Sequence, residues 1–124
     1  MGYYTFYSME ARNIKNEEEY NSILHALKER ELLSDEETSG VFDEKKYYPD
    51  SHSAYFEAYE ECKWYDHEYD MVKFSKLFPD VTFKLSGEGE ERDDMWRKYF
   101  HNGECEECAV HITYDKPRFI EWEE

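Results

Sequence analysis

Five carboxylates, Glu88, Glu90, Glu91, Asp93 and Asp94, crowd into seven residues of the run Gly87-Glu88-Gly89-Glu90-Glu91-Arg92-Asp93-Asp94. Such a run can hold cations. A calcium loop, however, needs ligands at fixed steps around a turn glycine, and this one lacks that rhythm. A Mg²⁺-dependent nuclease needs carboxylates converging from separate strands with a lysine near, for which Lys84 and Lys98 are the candidates. The remaining readings are a solvated loop or a contact surface for a basic partner.

Cys105-Glu106-Glu107-Cys108 has the spacing of a metal or redox pair. Zinc would need two further ligands, and Cys62, His101 and His111 are the nearest by type. The pair falls inside a predicted strand, where residues three apart point to opposite faces, so the sulfurs should diverge. Redox pairs open a helix, and this one does not. In Trp64-Tyr65-Asp66-His67-Glu68, His67 can be drawn as a general base beside Glu68 or Asp70. No Ser or Cys with a nucleophile motif accompanies it, so a capping or surface role is expected. Phosphate loops, dinucleotide fingerprints and kinase signatures are missing. No catalytic residue, cofactor or metal is expected.

Binding is a better match to the residue types. Tyr55, Glu57, Tyr59 and Glu61 alternate with Phe56, Ala58 and Cys62, placing tyrosines and carboxylates on one face of a predicted strand, with Glu107 and His111 beside them. Tyrosine gives large contact area at low entropic cost, and interleaved carboxylates lend such a face a phosphate-like potential. A solvated sheet face with packed tyrosines is the competing reading. The expected partner-binding residues are therefore Tyr55, Glu57, Tyr59 and Glu61 with Glu88, Glu90, Glu91, Asp93 and Asp94.

The elements that must position these groups follow from periodicity. Tyr3 to Ala11 reads as a strand. Asn16 caps a helix with Glu17, Glu18 and Glu19 in its first turn, Tyr20, Ile23, Leu24 and Leu27 on its apolar face, and an end near Leu33. Residues 34–53 look least ordered, with a short strand at Val41-Phe42. A strand starts at Ala54. Asp66 caps a second helix with the stripe Met71, Phe74, Leu77 and Phe78, stopped by Pro79. Val81, Phe83 and Leu85 mark a strand that leads into the acidic loop. Met95 to Phe100 and Glu104 to Tyr114 are strands joined at His101-Asn102-Gly103. The order β-α-β-α-β-β-β predicts one α+β domain over residues 1–124. Its antiparallel sheet would have about five strands and both helices on one face, a ferredoxin-like variant.

The chain has 124 residues, and its 15 Lys+Arg against 31 Asp+Glu give a net charge of −16. Duplex DNA carries one charge per ~1.7 Å, so this charge equals that of roughly 27 Å of duplex. It opposes direct nucleic-acid binding and favours a basic partner, namely a nucleic-acid-binding protein. The high aromatic content argues for a folded core rather than an acidic tail. Three cysteines, an odd number, with no leader and no long apolar stretch, read as cytoplasmic and without a membrane. A homo-oligomer is compatible with all of this.

Lys63-Trp64-Tyr65-Asp66-His67-Glu68-Tyr69-Asp70-Met71, Phe78-Pro79-Asp80-Val81-Thr82-Phe83, Gly87-Glu88-Gly89-Glu90-Glu91, Trp96 and Tyr99-Phe100-His101-Asn102-Gly103 form a pattern. It resembles small uncharacterised acidic proteins of bacteria and their phages over roughly Lys63 to Thr113. That resemblance implies no catalytic residues, and the pair Cys105 and Cys108 is outside it. Size, acidity and lack of catalytic motifs also resemble phage anti-defence proteins, including anti-CRISPR inhibitors. The function implied is inhibition of a host defence protein by filling its basic nucleic-acid groove. The alternatives are a metal-dependent enzyme acting on nucleic acid or nucleotide, and a structural or assembly protein.

Overall fold

The computed structural model describes residues 4–89 and 95–109. Alternating side chains build β1 (Phe6–Arg12), which sends Tyr7, Met9 and Ala11 into the core. Helix α1 (Glu17–Glu29) starts as expected, because the Glu19 N–H donates to Asn16 Oδ1 at 2.9 Å. It ends at Glu29 rather than near Leu33. Glu31 adopts φ +58°, its N–H donates to the Lys28 carbonyl, and the Leu32 N–H reaches back to the Leu27 carbonyl at 2.9 Å. That is a Schellman stop made without glycine, and it turns Leu32 and Leu33 into the core as loop residues.

The stretch expected to be least ordered contains a sixth strand, β2 (Glu44–Tyr48), followed by a 3₁₀ turn at Pro49–Ser51. β2 is an edge strand whose only half-buried side chain is Tyr47, so it shows no apolar alternation. Phe42 forms no strand; it is fully buried and makes an isolated bridge to Leu33. β3 (Ser53–Glu57) stops four residues short of Glu61. α2 (His67–Ser75) keeps Met71 and Phe74 inside, but the Asp66 side chain makes no capping bond and Leu77, beyond the helix, is 48% exposed. β4 (Thr82–Glu88) absorbs Gly87 and Glu88, which the sequence reading placed in a loop. The hairpin of β5 (Met95–His101) and β6 (Glu104–Ala109) turns on Asn102 and Gly103, both at positive φ. Val110 to Tyr114 of the expected last strand lie outside the described residues.

The sheet is antiparallel throughout, in the order β2-β3-β1-β4-β5-β6. β1-α1-β2-β3-α2-β4, with strands ordered β2-β3-β1-β4, is the split β-α-β arrangement of ferredoxin-like folds, here widened by the β5–β6 hairpin. The fold class is α+β, with six strands instead of about five. Both helices cover the same face. Tyr20 of α1 stacks on Tyr47 at 4.5 Å, and Phe74 of α2 meets Phe83 edge-on at 5.3 Å. The opposite face carries no helix among the described residues.

Candidate functional site

The register fixes which side chains share the open face. One row across the strands runs Glu57 (β3), Ser8 (β1), Ser86 (β4), Arg97 (β5) and Cys108 (β6). The next runs Tyr55, Glu10, Lys84, Tyr99 and Glu106, and on the other side Phe6, Glu88 and Met95 sit in line. Between these rows of longer side chains, the short Ser8 and Ser86 leave a trough. It forms an open concavity of about 690 Å³ whose lining includes Phe6, Ser8, Glu57, Ser86, Glu88, Met95, Arg97, Tyr99 and Cys108.

Charge is handled unevenly within this face. Glu10 is only 4% exposed and is clamped by Lys84 Nζ at 3.0 Å and by the Arg12 guanidinium. Burial pushes its carboxyl up, but the hydrogen bonds from Arg12 and Lys84 outweigh that and hold it below the usual carboxylate range. Glu57, Glu88 and Arg97 are exposed, and among the described residues none of the three has an ion-pair partner.

The residues expected to bind a partner are thus divided. Tyr55 and Glu57 lie on the open face of β3, and Glu57 and Glu88 both line the trough, so each expected patch contributes one residue to it. Tyr59 and Glu61 are not on the strand, because β3 ends at Glu57. Tyr59 is 66% exposed in the following loop, where its hydroxyl donates to Glu44 at 3.0 Å and its N–H to Asp43 at 2.8 Å. That contact with Glu44 pushes the phenol pKa up. Glu107 is not beside Tyr55; it stands opposite Lys98, on the helix side of β6. Glu90, Glu91, Asp93, Asp94 and His111 lie outside the described residues.

Sequence reasoning missed Phe6, Ser8, Ser86 and Arg97. Their period-two pattern placed them on a polar face, but their meeting depends on cross-strand register.

The described side chains considered for catalysis are either engaged or apart. Both ring nitrogens of His67 are engaged: Nδ1 donates to the Trp64 carbonyl at 2.9 Å, and Nε2 accepts from Lys98 Nζ at 2.8 Å. The ring stacks on Trp96 at 4.8 Å, and burial together with the Lys98 charge pulls its pKa down. Neither ring nitrogen is free to take a proton from a substrate. Lys98 also pairs with Glu68 at 3.3 Å and lies over the Trp96 ring. It is on the opposite face from Lys84, so the two lysines proposed for a nuclease do not converge. Gly87 makes this packing fit: a Cβ there would sit 2.3 Å from the Trp96 indole.

Cys105 packs against the core and Cys108 lines the trough, on opposite faces as their spacing in a strand requires. Burial and nearby carboxylates push the Cys62 and Cys105 thiols up, away from reactivity. Among the described residues no three His, Cys, Asp or Glu side chains gather to hold a metal ion, and no helix is long and apolar enough to cross a membrane.

No protein-family model, curated protein or solved structure matches this chain.

Proposed function

We propose that this domain is an acidic interaction protein, of the kind phages encode, that inhibits a nucleic-acid-binding defence protein of CRISPR type by occupying its basic groove. The observation that carries the reading is the pairing pattern on the open face. Its buried carboxylate is neutralised by Arg12 and Lys84, while Glu57 and Glu88 stand exposed with no ion-pair partner among the described residues of a protein of charge −16. Asp43 and Glu44 extend the acidic surface where β2 begins, with the Asp43 N–H bonded to the Glu57 carbonyl at 2.8 Å. Such a surface steers association with a basic groove, and rising salt weakens it.

The test is a pull-down with the tagged protein from bacterial host lysate, eluted first in rising salt and then with added DNA. Recovery of a nucleic-acid-handling protein that salt or DNA releases is the expected result, and Glu88→Lys with Glu90→Lys and Glu91→Lys should abolish it. Recovery of nothing, or of the protein itself alone, overturns the reading in that host.

A further inference from the structure

We propose that the trough on the open face seats an extended peptide segment bearing a basic residue and, four positions further on, an acidic one. The inference rests on the interaction reading for its partner being a protein, and it adds where and how that protein is gripped. The trough runs across the strands, floored by Ser8 and Ser86, with Glu57 at one end and Arg97 towards the other, neither ion-paired among the described residues. Three strand spacings of 4.7–4.9 Å separate those two, about 14 Å.

An extended chain advances about 3.3 Å per residue and places residues i, i+2 and i+4 on one side. Residues i and i+4 therefore span about 13 Å, matching the separation of the two charges. Residue i+2 falls over the serine floor, between Phe6 on one wall and Tyr99 on the other. A cation at i meets Glu57, an anion at i+4 meets the guanidinium of Arg97, and a small or apolar residue fills the middle. Glu88, on the wall, repels a segment acidic at its centre. A nucleic acid, with negative charge at every step, satisfies Arg97 but clashes with Glu57 and Glu88.

The probe is a capped, fluorescein-labelled peptide, Gly-Lys-Ala-Leu-Ala-Glu-Gly, titrated by fluorescence anisotropy at low ionic strength. It should saturate. Binding should weaken roughly fivefold when Lys and Glu are two apart, and by a similar factor when the Glu is replaced by Lys. Glu57→Gln and Arg97→Gln should each cost about the same with circular dichroism unchanged, and Arg97→Glu should reverse the preference so that the Lys/Lys peptide binds better. No saturable binding by the native protein, or equal binding of all three peptides, overturns the proposal. Self-association that Arg97→Glu abolishes overturns it too, because a second copy would then fill the trough. A partner captured from lysate equally well by the Glu57→Lys, Arg97→Glu double variant sinks the trough and leaves the interaction reading standing. Failure of capture alone sinks only that reading.

Discussion

On the helix-covered face, Lys98 is 8% exposed and is held by His67, Glu68 and the Trp96 ring together. On the open face, Glu10 is buried and equally well held by two cations, yet Glu57 and Arg97 one row away and Glu88 two rows away stand in water without an ion-pair partner among the described residues. Pairing follows burial rather than face: a charge shut off from water must be satisfied inside the protein, whereas a hydrated one need not be. The teaching is that the charges available to a partner are the hydrated ones of the trough. The paired ones maintain the fold that presents them. Substitutions on the two faces should accordingly separate loss of stability from loss of binding.

The largest separation is at the core side. Phe83 is fully buried between α2 and the sheet, against Phe74 and Phe78. Phe83→Ala should cost about 3–5 kcal/mol by urea unfolding, through lost burial and the cavity left behind. On the open face, Tyr55→Ala removes a ring that is 40% exposed and should cost less than about 1 kcal/mol. Equal losses at the two positions would mean the open face is covered by something that buries Tyr55.

Next comes the buried charge of the open face. Glu10→Gln keeps the volume but leaves Lys84 and Arg12 facing a neutral amide, and should cost about 1–3 kcal/mol at pH 7. Because the Glu10 carboxyl sits below its ordinary value near 4.5, its contribution is present above that pH and is lost as pH falls through the lower folded value. The difference between native protein and Glu10→Gln should therefore shrink in acid. A difference independent of pH would show that packing, not charge, is what Glu10 supplies.

How far the sequence alone reached follows the same division between local and long-range physics. The Asn16 cap, the Asn102-Gly103 turn and the alternation in Val81 to Leu85 are short-range patterns, and each lies where it was expected. β2 escaped notice because an edge strand of Glu44-Lys45-Lys46-Tyr47-Tyr48 buries almost nothing and so carries no alternation. The end of α1 was misplaced because Glu31, and not glycine, takes the left-handed stop. The site was half legible: Glu57 and Glu88 stood out by type. Ser8, Ser86 and Arg97 join them only through a register spanning four strands, and no local spacing encodes that.

His67 sharpens the comparison from the covered side. Its pKa is depressed, so the folded state favours the neutral ring that accepts from Lys98. The stability this provides is complete above the ordinary histidine value near 6.5 and is lost as pH falls through the lower folded value. The groups facing the ring across α2, β5 and β6 are Lys98, Glu68 and Glu107. The two carboxylates favour protonation and so limit the loss. Between pH 7.5 and pH 5, the native protein should lose more stability than His67→Gln, because the unfolded ring takes up a proton more readily than the folded one. Parallel pH curves for the two proteins would show that the folded ring takes up its proton as readily as the unfolded one.

The smallest effect on stability belongs to the trough, and that is what makes it informative. Glu57 and Glu88 are exposed, without an ion-pair partner among the described residues, and set in a chain of charge −16. Replacing both with Gln removes two like charges and no contact with a described cation, so unfolding free energy should move by no more than about 0.5 kcal/mol, and towards greater stability at low salt. Hydrated as they are, these two carboxylates and the Arg97 guanidinium need no partner for the fold and have none among the described residues, whereas buried Glu10 on the same face is neutralised by its neighbours. A Glu57→Gln, Glu88→Gln protein that is as stable as the native one, yet fails to retain the salt-eluted partner, would separate the fold's requirements from the surface's function at two positions. A large loss of stability would instead reveal partners for these carboxylates in the folded chain, and the trough would then be one more satisfied region like the one around Lys98.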